Sequence, residues 1–114
     1  MAKSGFIASG KSVANSWQHI YTVPDDVAVA SYELTVACNS TDDAEYSVAI
    51  TQNTGPETIG IPERIEPRRT VKSGAVIKIG IPAFSAGERI FLWATNAEIG
   101  MLIVTGKQIG RAHV

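Results

Sequence analysis

The chain has 114 residues, of which 45% are hydrophobic and 18% charged, and its formal net charge is −1 at pH 7. This length fits one domain that buries roughly two-thirds of its unfolded surface. The near-neutral charge excludes a global field that would favour nucleic acid or an anionic membrane. Because the chain is more apolar and less charged than an average soluble domain, we expect part of its surface to be covered by partners.

Residues 5–12 read GFIASGKS, which matches the phosphate-loop string G-x-x-x-x-G-K-S. A working phosphate loop follows a buried strand and opens a helix whose positive end faces the anion. Only residues 1–4 precede Gly5, and the stretch before Pro24 carries mostly weak helix formers such as Asn15 and His19. We therefore interpret the match as a chance one and expect no nucleotide or other cofactor.

Residues 1–16 are rich in small and polar residues, and this composition predicts a flexible N-terminal arm. Ordering the arm costs about 1–2 kcal/mol of backbone entropy per residue. Burying Phe6 and Ile7 returns only about 1.5–3 kcal/mol each. We therefore expect the arm to become ordered when a partner supplies a sheet edge, with Phe6 and Ile7 as docking contacts.

The next segments alternate with period two, which is typical of β-strands with one buried face. After a first strand over residues 17–23, residues 27–38 place Ala28, Ala30, Tyr32, Leu34, Val36 and Cys38 on one face. Residues 46–51 continue the alternation beyond the turn NSTDDA. We expect these two strands to form a hairpin or to lie side by side.

The second half of the chain predicts an edge strand followed by central ones. Residues 57–70 contain Pro62 and Pro67, which cannot donate to a ladder, so this stretch is expected to be an edge strand or an extended loop. Residues 77–81 alternate again, and residues 89–96 are apolar on both faces, as in a central strand buried twice or covered by a neighbouring subunit. Residues 101–106 are expected to form the last strand.

Together the pattern predicts an all-β fold, a β-sandwich or jelly roll of about seven to eight short antiparallel strands with an extended N-terminal arm. The domain itself is expected to span residues 17–106, and residues 107–114 are expected to form a C-terminal tail. No apolar run reaches the roughly 18 residues of a membrane helix, and no signal-peptide core is apparent.

The chain carries few residues for chemistry. Its two histidines, His19 and His113, and its one cysteine, Cys38, show no metal-ligand spacing. Cys38 falls on the apolar face of its strand and is interpreted as a core residue. The acidic turn NSTDDAE lacks the spacing of a calcium loop. We expect no catalytic residues and no metal, and hence a protein that is not an enzyme.

Two groups of residues are candidates for partner contact. Arg64, Arg68 and Arg69 lie on the proline-containing edge, where they could pair with acidic groups of a neighbouring subunit. No aromatic residue interleaves with them, so a single-stranded nucleic-acid platform is not expected. Trp93, with Trp17, is expected to pack in the core or at an interface, and a sugar-stacking platform is the alternative.

The order of these segments along the chain resembles that in the small all-β structural proteins of tailed-phage virions. The likeness covers about residues 18–106 and lies in IYTVPDD, VASYELTVACN, YSVAI and IPAFSAGERIF. It implies a β-sandwich subunit, often trimeric, that clamps neighbouring shell or tail subunits and performs no chemistry. The resemblance does not distinguish the head from the tail of the particle.

The leading hypothesis is therefore a capsid decoration (cement) subunit, made in the host cytoplasm and located in the virion as a homo-oligomer, with a trimer favoured. Its partners would be the major capsid protein or neighbouring virion subunits, with no nucleic acid and no membrane. A tail, collar or baseplate accessory protein is one alternative. A carbohydrate-binding or receptor-binding module is another.

Overall fold

The computed structural model describes residues 3–24, 27–52, 64–84 and 86–110. Within these ranges the chain forms eight β-strands and no helix, which confirms the all-β prediction. The strands are β1 (Lys3–Lys11), β2 (Gln18–Thr22), β3 (Val27–Cys38), β4 (Ala44–Gln52), β5 (Arg64–Val71), β6 (Val76–Phe84), β7 (Glu88–Ala94) and β8 (Ile99–Gly110). Accordingly, the described ranges hold no apolar helix of membrane-spanning length.

The strands form two four-stranded sheets. The first sheet has the order β1-β8-β3-β6 and the second has the order β2-β7-β4-β5. Every paired strand runs antiparallel to its neighbours. One cluster of buried side chains draws on both sheets, so the arrangement is sandwich-like.

The core follows the alternation of the sequence. In β3, Leu34 and Val36 are fully buried, whereas Glu33 and Thr35, which alternate with them, are partly exposed. Cys38 belongs to the same cluster, which confirms its interpretation as a core residue. The largest fully buried side chains of the two sheets are Tyr46, Phe84, Phe91, Leu34, Ile90, Leu92, Ile99, Met101 and Ile103.

The expected pairing of residues 27–38 with residues 46–51 is wrong. Strand β3 pairs with β6 and β8 in the first sheet, while β4 pairs with β5 and β7 in the second. The short connection between them therefore crosses from one sheet to the other. The apolar faces of β3 and β4 still point inward, because the core covers the apolar face of a strand whichever strands it pairs with.

The prediction of a twice-buried central strand is confirmed by β7, which lies between β2 and β4. Ile90 and Leu92 face the shared core, and Phe91, which points to the opposite side, is also only 2% exposed. The predicted proline-containing edge is confirmed as well, since β5 is one of the two outer strands of the second sheet.

The N-terminal residues differ from the expected free arm. Lys3–Lys11 forms β1, which pairs with β8 from Lys3 opposite Gln108 to Lys11 opposite Gly100. Ile7 packs against the core. The physical reason is that the chain supplies the sheet edge itself, through a β8 that extends to Gly110 and so includes the start of the expected C-terminal tail.

The phosphate-loop string is thus extended strand in this structure. A Cβ built on Gly10 would lie 2.8 Å from Cδ1 of Ile20, so Gly10 allows β1 to pack closely on β2.

Ser12, the last residue of the string, is fully buried. Its Oγ donates to the carbonyl of Asn96 at 2.6 Å and accepts from the amide of Ile99 at 3.2 Å. The hydroxyl therefore secures the turn between β7 and β8.

Replacing Ser12 with Ala should destabilise the domain by about 1–3 kcal/mol, because the buried amide of Ile99 and the carbonyl of Asn96 both lose the hydroxyl. Urea unfolding followed by circular dichroism measures this change. Ser9→Ala is the matched control, since Ser9 is exposed on β1, which ends just before Ser12, and it should stay within about 0.5 kcal/mol of the unsubstituted chain. Equal stabilities of the two variants would contradict the assigned role.

Candidate functional site

The second sheet carries polar and aromatic side chains on its outer face. Val48 and Leu92 face the core, so their strand neighbours Ser47 and Trp93 point to the other side. Ser47 and Trp93 are register partners across β4 and β7. Ser47 is only 2% exposed, whereas Trp93 is half-buried.

A β-bulge in β5 places Arg68 next to this pair. Between the pairs Tyr46–Arg69 and Val48–Glu66, two residue steps of β4 oppose three of β5. Arg68 has φ 28°, in the left-handed region that side chains rarely adopt. A bulge disrupts the ladder locally, and the amide of Arg68 donates instead to Oγ of Ser47 at 2.8 Å.

The side chain of Arg68 makes two further contacts on this face. Its Nε donates to Oε1 of Glu45 at 3.0 Å. Its guanidinium carbon lies 4.7 Å from the ring centroid of Trp93. The ion pair is largely exposed and contributes about 0–1 kcal/mol, and an exposed cation–π contact contributes about 0.5–1 kcal/mol. These contacts therefore orient the guanidinium more than they stabilise the fold.

The same residues line a cavity of about 180 Å³. Its walls are Trp17, Ser47, Arg68 and Trp93. Trp17 precedes β2 and is half-buried, so both tryptophans of the chain meet here. We refer to this feature as the tryptophan cavity.

The structure brings together only some of the predicted contact residues. Arg68 and Trp93 share the tryptophan cavity. Arg69 is exposed on the edge strand β5. Arg64 pairs through its backbone with Ala49, and its side chain lies outside the described part of the structure. Their role as contacts with a partner subunit stays a prediction.

Ile7 and Phe6 are far from this group in the topology, because β1 belongs to the first sheet. Phe6 pairs with Val104 through its backbone, and its side chain also lies outside the described part. Docking of these two residues onto a partner stays a prediction. The packing of Ile7 against the core means that it also supports the chain's own fold.

Ser47 is the cavity residue that sequence reasoning missed. It lies in YSVAI, where alternation marks Tyr46 and Val48 as core and Ser47 as outward. The local signal was therefore a small polar residue on the outer face of a largely apolar strand. What could not be read locally is that the β5 bulge directs the amide of Arg68 toward it.

The acidic turn is held by hydrogen bonds within the chain. Oδ1 of Asp43 accepts from the amide of Ser73 at 2.9 Å, and Oδ2 lies 3.3 Å from Nζ of Lys72. The amide of Ser73 first, and then Lys72, hold the pKa of Asp43 below its usual value. No group of three or more potential metal-ligating His, Cys, Asp or Glu side chains occurs among the described residues.

His19 lies on the outer face of the second sheet as well. It is exposed, as expected for a surface or interface residue. Its Nε2 is 2.7 Å from Oγ1 of Thr22, and its ring centroid is 5.4 Å from that of Phe91. The ring thus covers part of the twice-buried strand β7.

No protein-family model matches the chain, and no curated protein is significantly similar to it. The fold defines an all-β protein of two antiparallel four-stranded sheets.

The lowered pKa of Asp43 predicts a pH-dependent contribution to stability. Because the pKa is lower in the folded state than in the unfolded state, the contribution is present above the ordinary aspartate pKa of about 3.9 and is lost as the pH falls through the lower, folded-state value. Asp43→Asn should therefore lower the midpoint of urea unfolding at pH 7. It should also reduce the difference between the urea midpoints measured at pH 7 and at pH 2.5.

Asp42→Asn is the matched control, because it removes the same charge from the same turn. The two variants should be compared with the unsubstituted chain at both pH values. If Asp43→Asn and Asp42→Asn gave the same pH dependence of the urea midpoint, the assignment of the effect to the Ser73 and Lys72 contacts would be wrong.

Proposed function

We propose that the protein is a non-enzymatic structural subunit of a tailed-phage virion, most specifically a capsid decoration (cement) subunit that acts as a homo-oligomer, with a trimer favoured. The strand orders β1-β8-β3-β6 and β2-β7-β4-β5 carry this proposal. They support an assignment as an eight-stranded jelly roll, an architecture that recurs in viral capsid domains. The support is an analogy of fold, joined to the resemblance of segment order described above.

The outer face of the first sheet supports a covered position in an assembly. Val76 is 58% exposed and Leu102 is 37% exposed. Leu102 registers with Thr35, and Val76 registers with Ala37, so both lie on one face of β8, β3 and β6. Exposed apolar side chains on one face of a sheet are suited to contact with another copy or another subunit.

The edge strand β5 supports a second, polar contact. Arg69 is exposed there, beside the Arg68–Glu45 pair. Rim charges of this kind favour association with an acidic surface and fix its orientation. In the proposed particle, the first sheet would contact copies of this chain, and the β5 edge would contact the shell.

The proposal predicts that the full chain is a trimer in solution, with three times the mass of the monomer. It also predicts that the chain binds to purified virions that lack this protein. Arg69→Glu should lower the occupancy of the chain on those particles by about tenfold, because it reverses a charge at the shell contact. Light scattering measures the mass, and quantitative mass spectrometry of washed particles measures the occupancy.

Glu98→Lys is the matched control, because it reverses a charge at an exposed site in the turn before β8, outside both the first-sheet face and strand β5. It should leave the occupancy of the shell contact unchanged. Electron microscopy of labelled particles then separates a head location from a tail, collar or baseplate location. A monomer that does not associate with particles would overturn the proposal.

A further inference from the structure

We propose that the tryptophan cavity is a binding site for one neutral sugar ring. The cavity lies on the outer face of the second sheet and is lined by Trp17, Ser47, Arg68 and Trp93. This site would be additional to the proposed structural role, and the binding of a sugar by the free chain does not depend on that role.

The lining has the mixed character that a sugar ring requires. A pyranose has apolar C–H faces and a rim of hydroxyl groups that donate and accept hydrogen bonds. Trp17 and Trp93 supply apolar ring surface, and both are half-buried residues that line the cavity. The guanidinium of Arg68 supplies donors, and the carboxylate of Glu45 beside it supplies acceptors.

The charges of the site favour a neutral ligand. The guanidinium of Arg68 is already paired with Glu45, with Nε and Oε1 3.0 Å apart. The two charges offset one another, so the site has little net charge with which to attract an anion. A phosphate or an acidic peptide would have to displace Glu45, whereas a neutral hydroxyl can bond to both partners as they stand.

The size of the cavity favours one ring. Its volume of about 180 Å³ is smaller than the roughly 300–1,000 Å³ of pockets that hold drug-sized ligands. An extended oligosaccharide would therefore place a single residue in the cavity and leave the rest across the sheet surface.

The backbone at Arg68 indicates that the side chain is held in position before any ligand binds. A φ of 28° is costly for a residue with a side chain, and such strain clusters at binding and switch sites. The bulge redirects the side chain. Oγ of the buried Ser47 accepts a hydrogen bond from the amide of Arg68 at 2.8 Å and so holds the backbone in place. The stacking on Trp93 then fixes the guanidinium at the cavity wall.

The test is a titration of the full chain with neutral monosaccharides, namely glucose, galactose, mannose and N-acetylglucosamine, up to high millimolar concentrations. Both tryptophans of the chain line the cavity, so intrinsic tryptophan emission reports directly on it. At least one sugar should change the emission in a saturable way and should give saturation-transfer NMR signals. Glucuronate and inorganic phosphate serve as anionic probes.

Two variants test the position of the site. Trp17→Ala removes one wall, and Arg68→Gly removes the guanidinium while accepting the positive φ without strain. Each should weaken sugar binding by about tenfold or more, as measured by saturation-transfer NMR. The urea midpoint of Arg68→Gly should equal or exceed that of the unsubstituted chain. The relief of backbone strain at this position compensates for the exposed contacts that are lost.

Arg69→Ala is the matched control, since it removes a neighbouring arginine that does not line the cavity, and it should bind the sugar with unchanged affinity. Three results would overturn the proposal: no binding by any neutral sugar of the panel, binding of the anionic probes only, or equal sugar affinity in Trp17→Ala, Arg68→Gly and the unsubstituted chain.

Discussion

The constraint on which the rest of the structure depends is the single apolar layer shared by the two sheets. Leu34 and Ile103 from the first sheet belong to the same buried cluster as Val48 and Leu92 from the second. Each such side chain contributes about 1.5–3 kcal/mol when it is removed from water. Because neither sheet can cover its apolar face alone, the two sheets pack face to face. The side chains that point inward determine, by alternation, which side chains lie on the two outer faces.

The outer face of the second sheet owes its character to a strand that is apolar on both sides. Since β7 is central, Phe91 and Trp93 are presented on a face that a simple half-buried strand would leave polar. The bulge in β5 then adds Arg68 to the aromatic surface, with Ser47 as its backbone anchor. Two tertiary features, the central position of β7 and the irregular edge, thus build the tryptophan cavity.

The faces of the strands were predictable from the sequence, but their partners were not. Alternation placed Leu34, Val36 and Tyr46 in the core, as found. It could not show that the turn after Cys38 leads into the other sheet, because a strand's buried face has the same pattern with any partner. For the N-terminal residues, the entropic cost of ordering would leave an isolated segment disordered, but β8 offers Lys3–Lys11 a sheet edge within the same chain.

The amino-acid sequence by itself determined the class of fold, the inward faces, the core position of Cys38 and the two apolar faces of residues 89–96, and the prolines of residues 57–70 restricted that stretch to an edge strand or an extended loop. These are properties of local periodicity and of proline's missing N–H, which need no knowledge of distant residues. Only the tertiary structure decided that Ser12 holds the turn before Ile99 and that Trp17, Arg68 and Trp93 meet around Ser47. Those contacts join residues far apart in the chain, and their formation depends on which strands pair and where a bulge shifts the register.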